Sequence, residues 1–553
     1  MSTLEAETPA PVRKARPWGA IVAGVAALAA AALTGLASLN GDVTYALGGM
    51  ETAGRGGVSV WDVFVARPLA YRLLLDGLDF TGGHPMALTH RLIRAETDLL
   101  IVVVAVLLFV GLRRHLDRRA AAGIAVATGL ALVIAPPWHF LEPDWMAALA
   151  AVVAVGAALA PRRFWLGALL GGAGAVLVIA LKLATVPIAL LALLAIAVLD
   201  RRRAIWATVA TGVLAVVWYL TTKHFLPWEW IWLTDQANLV ADSPIHHGLR
   251  FSDFRELWHG LGDVAVLSPV VAAAPPAFAA LIRRVPTTRG RLLGAAVAVV
   301  ASGLSVASAY GQAEFYMYHY AIVPVLAAAV WGAAFALCPG ARLPLAASTL
   351  LLAAMSFVAL RRPAGWRLAH FELVENAYLL VAVLAVLVVW FRPAGSAPWP
   401  VGVLALTVAL VPPVLLGAPY AFSTYDYQIS AARPNATGYA RTSERIGRDT
   451  PVLYLSFGAI NHVMGNPTTC RYPSPQWLQR GTWLARVREY QSYADNLACL
   501  TSDQQARYLI VQNDWFKLDK APADVKELLD ARFDCSPAAR LPHTGNLTVC
   551  PAR

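Results

Sequence analysis

The chain has 553 residues, 58% of them hydrophobic and only 14% charged, with a mean hydropathy of +0.56. That balance excludes an ordinary soluble globule and marks an integral membrane protein. The formal charge of +11 raises nucleic acid as a partner, but in so apolar a chain a basic excess belongs to loops held at the cytoplasmic face, so no nucleic acid is expected.

Apolar runs set against the roughly 20 residues needed to cross a bilayer predict thirteen spans, at 18–39, 97–112, 121–135, 145–160, 164–181, 183–199, 204–221, 263–282, 292–309, 319–337, 343–360, 376–390 and 400–419. The stretch 164–199 is read as two short helices turning at Lys182. With the polar residues 1–17 as a cytoplasmic tail, the inside pieces hold 18 Lys and Arg in 51 residues and the outside loops 12 in 132. This is the asymmetry of the positive-inside rule, and it puts the C-terminus outside. The expected fold is an all-α polytopic membrane domain over 18–420, followed by an extracytoplasmic α/β domain over 421–553.

The first outside loop, 40–96, is too long for a connector, and its pieces 58–65 and 68–78 read as two helices lying along the membrane surface, with Asp42 before them. "PPWHFLEPDW" then places Glu142 and Asp144 at the mouth of two spans. Lys182 interrupts an apolar hairpin, where a cation either snorkels to the interface or meets an anion. "KHFLPWEWIWLTDQ" gathers Trp228, Trp230 and Trp232 with Glu229 and Asp235, the composition of an interfacial aromatic belt. "FYMYHYAIVP" sets His319 at the head of a span, and Arg361 and Arg362 break the inside-positive pattern.

Beyond residue 420 the composition turns polar. Strands at 452–457, 507–512 and 547–550 alternate with helices at 475–499 and 522–532, the order of a small α/β layer. Cys470, Cys499, Cys535 and Cys550 all fall here; three pairings are possible, and 470 with 499 and 535 with 550 closes the shortest loops. Two disulfides suit an oxidising, extracytoplasmic compartment. No Walker loop, GxSxG elbow, HExxH motif or dinucleotide fingerprint is present, which removes the usual sequence support for ATP hydrolysis, serine hydrolysis and zinc proteolysis.

An acid just outside the first span, followed by surface helices with "FVARPLAYR", resembles the GT-C superfamily of polytopic glycosyltransferases. "FLEPDW", "LKLATVPIALL" and "EFYMYHYAIVPVLAA" follow in the order of that superfamily's acidic loop, lysine-bearing turn and aromatic-histidine segment, while its paired-acid "DD" is here "GD". Actinobacterial enzymes that transfer arabinofuranose or mannose in cell-wall assembly look like the nearest relatives. The resemblance implies transfer of a sugar from a polyprenyl-phosphate donor to an envelope glycan or glycolipid acceptor.

Such a reaction needs a base for the attacking hydroxyl and cations for the departing phosphate. On that reading Asp42 is the base, and Glu142 and Asp144 orient the acceptor or hold a divalent cation, Mg or Mn, no cofactor being required by the sequence. Arg67, Arg72, Lys182, His319, Arg361 and Arg362 are the phosphate candidates. Trp228, Trp232, Glu229 and Asp235 would bind sugar, and the loop 222–262 with His246 and His247 would close over the donor. The competing expectation is a transporter or lipid flippase without covalent chemistry. Against it, the polar groups crowd the outside loops instead of the midplane of broken helices.

Overall fold

The computed structural model describes residues 18–79, 86–242, 250–312, 315–392, 395–415, 436–542 and 545–553. The membrane part is a bundle of helices: α1 (Trp18–Gly35), α2 (Gly41–Arg55), α3 (Leu69–Leu78), α4 (Met86–Leu112), α5 (Arg118–Val133), α6 (Pro143–Leu159), α7 (Phe164–Leu181), α8 (Val186–Leu199), α9 (Arg201–Phe225), α10 (Pro227–Asp242), α11 (Asp253–Leu267), α12 (Ala274–Arg284), α13 (Thr288–Gln312), α14 (Ile322–Leu337), α15 (Arg342–Leu360), α16 (Ala364–Phe391), α17 (Trp399–Leu410) and the short α18 (Pro412–Leu415). Among the described residues, eight helices are long and apolar enough to cross a membrane, and 143–159, 183–199 and 399–410 are shorter apolar helices. The protein is a multi-pass membrane protein. The helices approach closely because their contact faces are small: α6 buries Ala147, Ala148, Ala150, Ala151, Ala154 and Ala158.

Several predicted boundaries move, each for a local reason. The span expected at 263–282 is two helices, because Pro269 has no amide hydrogen to continue α11 and restricts Ser268 before it, while Pro275 and Pro276 suit the first turn of α12. The span expected at 97–112 begins at Met86, since Thr89, His90 and Arg94 in its added turns are buried and Arg94 is used: it donates to the carbonyls of Ala37 (2.7 Å) and Ser38 (3.1 Å). Likewise the span at 376–390 starts at Ala364, its added turns bringing Glu375 to 3.0 Å from His259. Residues 1–17, the boundary at 420 and both His246 and His247 lie outside the described residues.

The first outside loop differs most. Its first helix is α2, not 58–65, so Asp42 lies in a helical first turn instead of preceding the surface helices. Residues 58–65 form turns and an extended piece whose Phe64 amide donates to the Arg471 carbonyl, 2.8 Å away. Lys182 sits where the sequence put it: α7 ends at Leu181, Lys182 is extended with φ −166°, and a short 3-10 turn leads into α8.

The C-terminal α/β domain contains helices α19 (Ala436–Ile446), α20 (Gly458–Met464), α21 (Gln476–Arg480), α22 (Gln491–Ser502) and α23 (Ala523–Arg532) around one sheet of β1 (Val452–Leu455), β2 (Tyr508–Gln512) and β3 (Leu547–Pro551). β1 pairs parallel to β2, with Val452 opposite Tyr508, and β3 pairs antiparallel to β2, with Cys550 opposite Leu509. The single helix expected at 475–499 is divided by Gly481 and a 3-10 turn at 485–489. Disulfides join Cys470 to Cys499 and Cys535 to Cys550, the pairing with the shortest loops.

The two parts are locked together at α2 and α20. A side chain at Gly48 would collide with the His462 backbone nitrogen, and one at Gly458 with the Tyr45 carbonyl oxygen, so only glycines allow this crossing. The helix that carries Asp42 is therefore braced on its far side by the disulfide-bearing domain.

Candidate active site

The site grows from two turns that the backbone holds in an uncommon conformation. Ala66 (φ 54°) and Leu141 (φ 66°) are the two non-glycine residues with positive φ among the described residues, and each immediately precedes a charged site residue, Arg67 and Glu142. Such backbone costs about 1–3 kcal/mol per residue and persists where the surroundings enforce it. Here the surroundings are visible: the Tyr71 hydroxyl donates to the Leu141 carbonyl at 3.0 Å, and Arg72 donates to the Arg67 carbonyl at 2.7 Å.

Asp42 occupies the first turn of α2, where a carboxylate complements the positive end of the helix dipole. Its Oδ2 accepts from Arg67 Nη2 at 3.2 Å, and the two side chains remain 28% and 21% exposed. Both groups can thus reach material outside the protein. Arg67 stays charged: burial works against its charge, but Asp42 first and then Glu142 raise its pKa above the ordinary guanidinium value.

Behind that pair lies Glu142, fully buried, with Oε1 accepting from Asn40 Nδ2 at 2.5 Å and Oε2 without a hydrogen-bond partner. Burial, and then the neighbouring Asp42, push its carboxyl up to about 8 against the pull of Arg67, Asn40 and Lys182. Asn40 was not singled out from the sequence. Its Oδ1 also accepts from the Val43 amide at 2.9 Å, capping α2, so an asparagine at the end of an apolar run was the available signal.

A second group adjoins the first. Asp144, fully buried, lies 2.8 Å from Lys182 Nζ, 3.1 Å from His319 Nδ1 and 3.2 Å from Ser308 Oγ. Lys182 Nζ is 3.2 Å from His319 Nδ1 and 5.9 Å from the centre of the Tyr318 ring. Four elements converge: the head of α6, the Lys182 turn, α13, and the 3-10 turn before α14.

These contacts decide what the acidic pair can hold. Asp144 is engaged by an ammonium, an imidazole and a hydroxyl, and Glu142 by an amide. Hard divalent cations take six to eight oxygen ligands, and among the described residues no three His, Cys, Asp or Glu side chains form a metal-binding group. Glu142 and Asp144 by themselves do not complete the shell of such a cation.

Other expected site residues are placed elsewhere. Arg72 is fully buried and its donors are spent on Glu229 (2.5 Å) and the carbonyls of Arg67, Val60 and Trp61, which makes it a brace for the Arg67 turn instead of a phosphate ligand. Glu229 answers Arg72 and also accepts from the Leu69 amide at 3.4 Å. The expected sugar platform on α10 faces the C-terminal domain: Trp228 lies 4.1 Å below the Arg471 guanidinium, Trp232 packs edge-on to Phe64, and Asp235 accepts from the Ser492 amide at 2.8 Å, capping α22. Arg361 and Arg362 are exposed beyond α15, Arg362 resting 5.5 Å from the Trp366 ring centre.

No family model matches the sequence, and no curated protein does. Among solved structures the chain is similar to ArnT from Cupriavidus metallidurans bound to undecaprenyl phosphate, at 15% identity and a TM-score of 0.50, with 97% of this chain and 98% of that chain covered. It also matches the apo state of the same ArnT (14% identity, TM-score 0.47, 96% and 97% covered) and the archaeal oligosaccharyltransferase AglB from Archaeoglobus fulgidus in complex with an inhibitory peptide and a dolichol-phosphate (11% identity, TM-score 0.39, 94% and 73% covered). The chain carries the GT-C fold: a polytopic α-helical membrane domain followed by a small α/β domain.

Proposed function

We propose that the protein is a membrane glycosyltransferase that moves a sugar from a polyprenyl-phosphate donor to an envelope glycan or lipid acceptor, with inversion and with Asp42 as general base. The observation that carries the reading is the partly exposed Asp42–Arg67 pair in front of the buried Glu142 and the Asp144–Lys182–His319 group. The bound undecaprenyl phosphate of the ArnT structure with the same fold supports a lipid-phosphate donor.

The chemistry follows from charge. An acceptor hydroxyl attacks the anomeric carbon, its proton passes to Asp42, and the bond from that carbon to the phosphate oxygen breaks, releasing the polyprenyl phosphate. A lone carboxylate base suits this single displacement. Arg67 and Lys182 are positioned to meet the charge that grows on the leaving phosphate. In the free protein Arg67 neutralises Asp42; an arriving phosphate competes for the guanidinium and leaves the carboxylate free to accept a proton.

The site and the disulfides lie on one side of the membrane in this reading, because α2 docks directly on the C-terminal domain, and disulfides persist in oxidising space. That side is the extracytoplasmic one, with residues 1–17 in the cytoplasm. Arabinofuranosyl or mannosyl transfer in cell-wall biogenesis is the particular reaction proposed, on the sequence resemblance alone.

The test is to incubate purified protein in vesicles with radiolabelled polyprenyl-phosphate sugars and envelope acceptors. A new covalent glycoside is expected. Label that crosses the membrane with no covalent product would establish a transporter instead.

A further inference from the structure

A groove runs between α7 and α9 at the end of the bundle away from the site. Its volume is about 460 Å³, and its lining is entirely apolar, including Phe164, Trp165, Ala168, Trp206, Val209 and Val213. The two helices run parallel, since Phe164 meets Arg202 near their starts and Gly172 meets Thr211 further along. Both N-terminal ends are therefore together, and both are basic. Arg162 and Arg163 precede α7, and Arg201 and Arg202 open α9, all four exposed.

This charge is locally unfavourable. A helix N-terminus carries partial positive charge and disfavours cations in the first turn. The acid at this end, Asp200, is already taken by Arg203 at 3.1 Å. Arg202 lies 4.6 Å from the centre of the Phe164 ring, and neither it nor Arg162, Arg163 or Arg201 makes an ion pair among the described residues. Trp165 and Trp206 are 58% and 53% exposed, so the described residues of the chain leave the groove open.

We propose that the groove holds one acyl chain of an anionic diacyl phospholipid whose phosphate rests on Arg162, Arg163, Arg201 and Arg202. The headgroup supplies the negative charge these helix starts lack, and the chain covers the two tryptophans. The α9 wall from Trp206 to Leu214 is about 12 Å long at 1.5 Å per residue, so it seats more than half of one acyl chain but only a small part of a polyprenyl chain. By the same rise, the 18 residues of α7 set the arginines about 27 Å from Lys182. The lipid site is distinct from the proposed sugar-transfer site and holds whether or not that transfer occurs.

Native mass spectrometry of the full chain, equilibrated with phosphatidylglycerol or phosphatidylcholine of matched chains, tests this. Phosphatidylglycerol should be retained at least about tenfold more strongly, the factor expected of one or two arginine contacts. The Arg162→Gln/Arg202→Gln variant should lose that preference. Val213→Trp should lose the lipid with every arginine in place; Val213 is 60% exposed, so it fills the groove from the membrane side without disturbing the core. An unaltered melting temperature will show that both variants fold. Equal retention of the two lipids, unchanged preference in the arginine variant, or retention by Val213→Trp would each overturn the proposal.

Discussion

Asn40 and Glu142 are joined by a 2.5 Å hydrogen bond, Nδ2 to Oε1, across 102 positions of the chain. Because the same asparagine caps α2, one side chain fixes both where the helix bearing Asp42 begins and where the buried carboxyl behind it sits. Asn40→Ala should cost about 1 kcal/mol through the lost cap and about 1 kcal/mol more through the lost bond. Thermal unfolding measures the first effect. A fall in turnover of about tenfold or more, with donor binding retained, would show the second reaching Asp42.

Glu142 should give the protein a pH-dependent stability of defined sign. The native state holds its proton up to about 8, whereas an unfolded glutamate releases it near 4.5. The folded form thus binds more protons between those values, and stability falls as pH rises through that window. Denaturation midpoints measured from pH 5 to 8 should decline in the wild type, and Glu142→Gln should flatten the decline.

Removing Lys182 should be more damaging than removing a surface lysine. Asp144 is fully buried, and Lys182→Met would strand its charge beside His319. Breaking a buried pair from one side costs roughly 3–5 kcal/mol. Adding Asp144→Asn should recover part of that loss. A double-mutant cycle in thermal stability reads the coupling, and two strictly additive losses would show that the pair is not coupled.

At the seam between the two parts, Gly48→Leu would drive a side chain into the α20 backbone. Overpacking of this kind costs about 1–3 kcal/mol. Limited proteolysis should release the C-terminal domain more readily, and turnover should fall as α2 shifts.

The membrane part was legible because hydrophobic run length is a strong signal: α1, α7, α8 and α15 lie close to where the apolar runs put them, and the turn at Lys182 follows from one cation in an apolar hairpin. The three strands were also readable, from short β-rich runs, whereas the four cysteines left three pairings open, of which the observed one closes the shortest loops. What stayed hidden depends on contacts distant in sequence. Helix α2 contains Gly48, Gly49 and Gly54, which argue against a helix locally; two of them are needed for packing against α20 and Val65, partners that periodicity cannot reveal. The α10 tryptophans have the composition of a membrane belt or a sugar platform, and only the folded C-terminal domain shows that Trp228 and Trp232 meet protein. Arg72 and Arg67 look alike in "ARPLAYR", yet burial separates a structural brace from a partly exposed site residue.

The most direct measurement is single-turnover transfer from a radiolabelled polyprenyl-phosphate sugar by wild type and Asp42→Asn, with donor binding determined in parallel. Loss of the base should lower the rate by about 10²–10⁴-fold while the variant folds and still binds the donor through Arg67 and Lys182. Transfer at the wild-type rate by a folded Asp42→Asn protein would contradict the account.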